Sequence, residues 1–226
     1  VTDPVRFEID PQGVATITLD RPERLNAINL RMRDLLWEYL AAADAIPEVR
    51  AILFRGEGRC FSAGADISEF GTAPSIMAAR RARHDRDIWW QLITHRCVTL
   101  ARMHGYCYGA GLELPLFCDL RIAGTDARLA LPEVSLAYIP SAGGTQMLPR
   151  IAPPGVAAHL ILTGEPIDAE TALRWGIVDR VVPPDGLDAA VEAALAAALA
   201  DPAAARARRL RLLGVADTSE AGPPLP

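Results

Sequence analysis

One local step occurs twice in this chain and constrains its fold more than any other feature. A short apolar run ends in a loop of residues without bulk, and the chain then re-enters an apolar segment. The first copy runs from Ala51 to Arg55 and on to Ser62-Ala63-Gly64-Ala65-Asp66. The second runs from Val98 to Met103, through His104-Gly105, to Gly109-Ala110-Gly111 and Glu113. Small residues let the backbone approach a neighbour or a ligand closely. Strands that alternate with such loops and helices point to an α/β fold. The recurrence suggests a repeated ββα-like unit, although no tandem sequence repeat at fixed period is visible.

The remaining segments fit this alternation. Two short strands are predicted at 5–9 and 14–19, around the turn Asp10-Pro11-Gln12-Gly13. Asn29 is the expected N-cap of an amphipathic helix reaching Ala45. One helix is predicted over 76–94, with Arg80-Arg81 and Trp89-Trp90 on its solvated and core faces. A helix opens near Gly109, short strands follow at 120–123 and 127–131, and Gly143 or Gly144 starts a helix to Ile151. Helices over 157–163 and 169–175, a strand over 178–182 and an Ala-rich helix over 187–200 complete the pattern. A basic helix over 203–213 and a disordered tail over 214–226 are expected at the end.

Composition excludes several chemistries. All 23 basic residues are arginine, so no lysine can form a Schiff base or serve a P-loop. Any phosphate on a ligand must be met by arginine or by backbone N–H. The net charge of -5 argues against nucleic acid as a partner. Cys60, Cys97, Cys107 and Cys118 show neither CxxC spacing nor a disulfide framework, and their apolar neighbours suggest buried thiols in a reducing compartment. There is no apolar signal core and no apolar run of membrane-spanning length. The expectation is a soluble cytoplasmic protein without a membrane partner. The four histidines lack metal-ligand spacing, no metal site is expected, and His104 reads as structural. Neither a GxSxG elbow nor a GxGxxG after a strand is present.

Two carboxylates stand out. Glu113 lies in Gly-Leu-Glu-Leu-Pro-Leu-Phe and Glu133 in Leu-Ala-Leu-Pro-Glu-Val. A carboxylate among apolar residues is costly unless paired or used, and burial raises its pKa toward a value useful in proton transfer. Each also has a plain reading, as a helix glutamate or as a first-turn residue after an N1 proline. Likewise, the two small-residue loops read either as tight turns or as sources of two N–H groups for an oxyanion.

Taken together, these segments resemble the enoyl-CoA hydratase/isomerase (crotonase) superfamily. The resemblance rests on motifs in a fixed order: Arg21-Pro22 with Asn26-Ala27, Gly58 to Asp66, Leu100 to Leu120, Leu131-Pro132-Glu133, Ile139 to Gln146, and Trp175 to Asp179 with Val181-Val182. It covers roughly residues 5 to 200 and implies a spiral of repeated ββα units. The core would span 1–188, followed by a C-terminal helical segment over 189–213 that is short for the family. The implied activity is hydration of an α,β-unsaturated acyl-CoA thioester, as in fatty acid metabolism. Ala65 and Ala110 would supply the oxyanion hole. Glu113 would activate and orient water at the β-carbon, and Glu133 would govern the proton at the α-carbon. CoA would lie against Arg24, Leu25, Ala27, Ala63, Asp66 and Ile67, mostly through backbone atoms. No cofactor is implied, because the CoA thioester is the substrate. The implied assembly is a homotrimer or a dimer of trimers. Other reactions of the superfamily on an acyl-CoA (isomerisation, ring-opening hydrolysis, decarboxylation) use the same oxyanion hole, and a catalytically weak acyl-CoA-binding subunit is the alternative outside catalysis.

Overall fold

A computed structural model describes residues 3–78, 81, 85–203 and 207. Strands β1 (Val5–Ile9) and β2 (Val14–Leu19) form an antiparallel hairpin, closed by Asp10, whose Oδ1 accepts from the N–H groups of Gln12 and Val14. Helix α1 (Leu30–Ala45) follows, capped as expected by Asn29, whose side chain accepts from Met32 N–H at 2.9 Å. Strands β3 (Ala51–Gly56), β4 (Val98–Met103), β6 (Leu120–Gly124) and β9 (Arg180–Val182) then add in parallel. The result is a six-stranded sheet in the order β1-β2-β3-β4-β6-β9.

A second sheet is built from β5 (Tyr106–Tyr108), β7 (Arg128–Ala130) and the short β8 (Ile167–Asp168). Strand–strand–helix order therefore recurs, as β1-β2-α1 and as β4-β5-α3, where α3 is Ala110–Leu116. The next turn of the chain, β6-β7, leads through a 3-10 turn at Pro132–Leu136 to α4 (Gly144–Ile151). Pairing of β4 with β6 in one sheet and of β5 with β7 in the other stacks successive units on each other. This is the α/β fold that the sequence pattern predicted, in the spiral arrangement that the family resemblance implied.

The main apolar core lies on one face of the six-stranded sheet. Leu36, Ile52, Phe54, Phe61 and Leu92 are fully buried there. The other face is covered by α7 (Leu187–Ala200), whose Leu187, Val191 and Leu195 pack on Val14, Val98, Leu100 and Ile122. Helices α5 (Pro154–Thr163) and α6 (Ala169–Arg174) close the end near β7 and β8. No described helix is long and apolar enough to cross a membrane.

Two expectations need correction. The helix predicted over 76–94 is not continuous: residues 76–78 are helical, but 85–86 form a turn and a new helix, α2, spans Ile88–Thr94. The reason is Asp87, whose Oδ1 accepts from the N–H groups of both Trp89 and Trp90 at 3.0 Å and so starts a fresh helix. Arg81 and the Trp89-Trp90 pair therefore do not share one helix. Strand β5 was not anticipated. It is three residues long and flanked by Gly105 and Gly109, which hides it from any periodicity test. The basic helix expected over 203–213 lies outside the described residues except at 203 and 207, and the tail over 214–226 lies wholly outside them.

Candidate active site

The two small-residue loops meet. Loop 62–66 is pinned from both sides: Ser62 pairs with Cys107 of β5 and Ala65 pairs with Ile28, each as a parallel bridge. Asn26, fully buried, anchors it further. Its Nδ2 donates to the carbonyl oxygens of Glu57 and Cys60 at 2.9 Å, and its Oδ1 accepts from Arg21 N–H. Ser62 Oγ donates to the Asn26 carbonyl and accepts from Gly64 N–H. The second loop packs against it, with a Cβ on Gly64 falling only 2.8 Å from the Tyr108 carbonyl oxygen. A Cβ on Gly64 would sit 3.6 Å from Ala110 N, and one on Gly109 would sit 3.8 Å from the Cα of Gly64.

The bridge at Ala65 uses the Gly64 carbonyl and the Asp66 N–H, and leaves the Ala65 N–H with no acceptor among the described residues. Ala110 is the first residue of α3, so its N–H has no partner within the helix. Two backbone donors with no acceptor among the described residues thus come from two segments that approach each other closely.

Both glutamates line the same cavity of about 270 Å³ as Ala65 and Ala110. Glu113, in the first turn of α3, is 2% exposed, and its Oε1 accepts from the N–H groups of Ala142 and Gly144 at 2.9 and 2.7 Å. Glu133 enters from the 3-10 turn after Pro132. A Cβ on Gly109 would lie 3.0 Å from Glu133 Oε1, which places this carboxylate directly over the start of α3. Gly109 itself has φ +51°, a conformation glycine adopts without strain. Glu133 Oε2 is buried without a hydrogen-bond partner among the described residues, and burial pushes the Glu133 carboxyl above its ordinary pKa. The geometry brings Ala65, Ala110, one pinned carboxylate and one carboxyl whose pKa is raised by burial to a single cavity.

The residues expected to touch CoA group around one edge of this site. Arg24 is exposed, while Leu25, Ala27 and Ala63 are half-buried, and Ala63 N–H donates to the Leu25 carbonyl. Ile67 is 63% exposed. Asp66 is committed within the protein: Arg21 Nη1 lies 2.6 Å from its Oδ2 and Ser68 donates to its Oδ1, which together hold its pKa down at about 2. Asp66 lines a second cavity, of about 470 Å³, that adjoins the first.

His104 and the four cysteines also find their place. His104 Nε2 sits 2.9 Å from the Gly58 carbonyl oxygen, and burial lowers its pKa, so it acts as a loop fastener rather than a site residue. The four cysteines are free and buried. Among the described residues no group of three or more metal-ligating side chains is assembled.

Sequence reasoning missed part of the cavity wall. Arg33 on α1, Phe70, Asp87 and Trp89 before and on α2, and Tyr138 all face it. Phe70 and Tyr138 are in ring contact at 5.6 Å between centroids, and Trp89 packs in a tilted arrangement against Phe117 at 5.3 Å. The spacing of Met32, Leu35, Leu36 and Leu40 marks the buried side of α1 but carries no sign that Arg33 faces a cavity.

The description of the matching protein family is enoyl-CoA hydratase/isomerase, and the match covers residues 10–221. The (E)-benzylidenesuccinyl-CoA hydratase of Thauera aromatica is 38% identical over 185 residues, covering 81% of this chain and 72% of that protein. A probable enoyl-CoA hydratase of Mycobacterium bovis is 39% identical over 176 residues, covering 78% and 68%. The crystal structure of an enoyl-CoA hydratase from Mycobacterium smegmatis superposes with a TM-score of 0.83 at 30% identity, covering 93% of this chain and 81% of that one. With the fold, the paired loops and these matches in agreement, the chain belongs to the enoyl-CoA hydratase/isomerase family.

Proposed function

We propose that the protein adds water across the double bond of an α,β-unsaturated acyl-CoA thioester, with Glu113 and Glu133 as catalytic residues and the N–H groups of Ala65 and Ala110 as the oxyanion hole. The observation that carries this reading is that two glutamates from different elements line one cavity with Ala65 and Ala110, whose backbone N–H groups have no acceptor among the described residues. The names of the relatives, which are hydratases of acyl-CoA thioesters, support it.

The chemistry follows from the charges. As the oxygen of water bonds to the β-carbon, the π electrons move to the thioester oxygen, which becomes an enolate. Each well-aimed backbone donor stabilises that charge by about 3–4 kcal/mol. Glu113, its Oε1 fixed by two N–H donors, takes a proton from the attacking water. Glu133 retains its proton to higher pH than an ordinary carboxyl and delivers it to the α-carbon. Proton exchange with solvent then resets both carboxyls. No metal or redox step enters this scheme.

CoA is proposed to lie along Arg24, Leu25, Ala27, Ala63, Asp66 and Ile67, with Arg24 toward the phosphates and backbone groups toward the adenine. We also propose the reducing cytoplasm as its site of action, which suits four free thiols, and a homotrimer or a dimer of trimers as its assembly. Assembly would give a partner to Val134, Leu136 and Leu162, which are exposed on the neighbouring 3-10 turn and α5. The proposed division is a spiral core over 1–188 with an appended helical segment.

The test is the loss of enoyl-thioester absorbance with crotonyl-CoA and with longer and cyclic enoyl-CoAs. Glu133→Gln is expected to lower turnover by at least about 100-fold while CoA thioesters bind with near-native affinity. Unchanged turnover in that variant would sink the two-glutamate mechanism. No consumption of any enoyl-CoA by the wild type would move the reading to another reaction of the family.

A further inference from the structure

We propose that Trp89 is a specificity-determining residue, whose indole closes the cavity beyond the two glutamates and limits the length of the acyl chain. The inference rests on the acyl-CoA site proposed above and adds what bounds the acyl group. The two adjoining cavities share Ile28, Arg33, Ala65, Phe70 and Tyr138. Ala65, the proposed oxyanion donor, lies on both walls, so the thioester carbon belongs at their junction. Asp66, assigned to the coenzyme, lines the second cavity, while Glu113 and Glu133 line the first. The coenzyme therefore leaves the junction through the second cavity. The acyl carbons, which must pass the glutamates, extend into the first.

Where the first cavity is not shared with the second, its large apolar side chains are Ile88 and Trp89. Ile88 is 1% exposed and belongs to the main core, whereas Trp89 is half-buried. Trp89 is held from two directions. Its N–H donates to Asp87 Oδ1 at 3.0 Å, which fixes its place at the start of α2. Its ring packs against Phe117, which is buried in the core. Phe117 is crowded in turn, since a Cβ on Gly143 would fall 2.4 Å from its Cζ. An indole backed in this way has little room to retreat. Close-packed interiors resist the shifts that an oversized group demands. Lengthening the chain is therefore favourable only until its end meets the indole.

The other route for a long chain is back past Phe70 and Tyr138, which are in ring contact and stand on both walls. That route leads toward Asp66 and the space assigned to the coenzyme, which is filled in the same complex. The charged groups nearby are committed. Asp87 caps α2, Glu113 accepts from Ala142 and Gly144 N–H, Glu133 serves the α-carbon, and Arg33 interacts within the protein.

The test measures binding, so it does not depend on turnover. Affinities of the saturated thioesters butyryl-, hexanoyl-, octanoyl- and decanoyl-CoA are measured by calorimetry. The proteins are the wild type, Trp89→Ala, Trp89→Phe and Phe70→Ala. Wild-type affinity is expected to rise by about fifteenfold per two buried carbons and then to stop rising at a definite length. Trp89→Ala is expected to move that break at least two carbons longer, and Phe70→Ala to leave it in place. Trp89→Phe keeps an aromatic ring against Phe117 and is expected to shift the break in the same direction by less, which preserves the test should the alanine variant fail to fold. No break in the wild type, or the same break in both Trp89 variants, overturns the proposal. A break moved by Phe70→Ala but not by the Trp89 variants also overturns it and assigns the chain to the second cavity. Equal weakening at every length with an unmoved break reduces Trp89 to a packing role. Crotonyl-CoA hydration is followed separately on the wild type. Its absence would count against the hydratase reading and leave the chain-length break standing, whereas failure of every thioester to bind would overturn both.

Discussion

Glu133 keeps one carboxyl oxygen buried with no hydrogen-bond partner, next to the start of α3. Burial raises its pKa above the ordinary 4.5, so the folded protein binds this proton more tightly than the unfolded chain does. Stability from this group is fully present below about pH 4.5 and is lost as pH rises through the raised value. Glu133→Gln removes the buried charge but keeps the shape. The variant is expected to melt a few degrees above wild type at pH 8, with the gap closing toward pH 4; a constant gap across that range in thermal scans would contradict this account. The same shift predicts that kcat/KM for hydration falls on the alkaline side as Glu133 loses its proton. In the sequence, both glutamates were visible as carboxylates in apolar surroundings. Arg33 was not, because a single arginine on an amphipathic helix has the same appearance whether it faces water or a cavity.

At the scale of elements, the decisive contact is that of α3 with the loop before it. A Cβ on Gly111 would fall 2.5 Å from the Ser62 carbonyl oxygen and 2.7 Å from Ser62 Cβ. Gly111→Ala must therefore push α3, and with it Ala110, away from the loop that carries Ala65. Urea denaturation is expected to show a loss on the order of 1–3 kcal/mol, together with lower kcat. Gly155→Ala is the control, since a Cβ there meets nothing within 4 Å. Equal behaviour of the two variants would refute this packing argument. Elements with strong local signals were legible: the 5–9 and 14–19 strands, α1 with its Asn29 cap, and the helix over Leu187–Ala200. The 76–94 segment was misread because Asp87 looks like any polar helix residue until its carboxylate is seen turning back onto Trp89 and Trp90.

At the scale of the molecule, Arg121 locks the last sheet strand in place. It is fully buried on β6, its Nη2 lies 3.1 Å from Asp179 Oδ2, and it donates to the carbonyls of Cys118 and Ile177 at 2.7 and 2.8 Å. These bonds tie β6 to the turn that leads into β9. Arg121→Ala would leave buried acceptors and the Asp179 carboxylate without their partner, at a cost of about 3–5 kcal/mol. Guanidinium denaturation of Arg121→Ala and Asp179→Ala singly and together checks this. The double variant is expected to lose less than the sum of the singles, and strict additivity would show the pair to be uncoupled.

The sequence by itself determined the alternation of strands and helices, the two loops of small residues, the pair of carboxylates in apolar runs, and the absence of lysine chemistry. Each of these is local, since backbone propensity, capping and side-chain size act over a few residues. Tertiary structure decided how they converge. Ala65 and Ala110 line one cavity, and the loop that carries Ala65 is held there by the bridges of Ile28 with Ala65 and of Ser62 with Cys107. Glu113 is held by Ala142 and Gly144, residues 29 and 31 positions further along the chain. Arg33 reaches the same cavity through the packing of α1 beside α2. Such distances are set by burial of the shared core and by strand register across the whole sheet, and no stretch of a few residues carries that information.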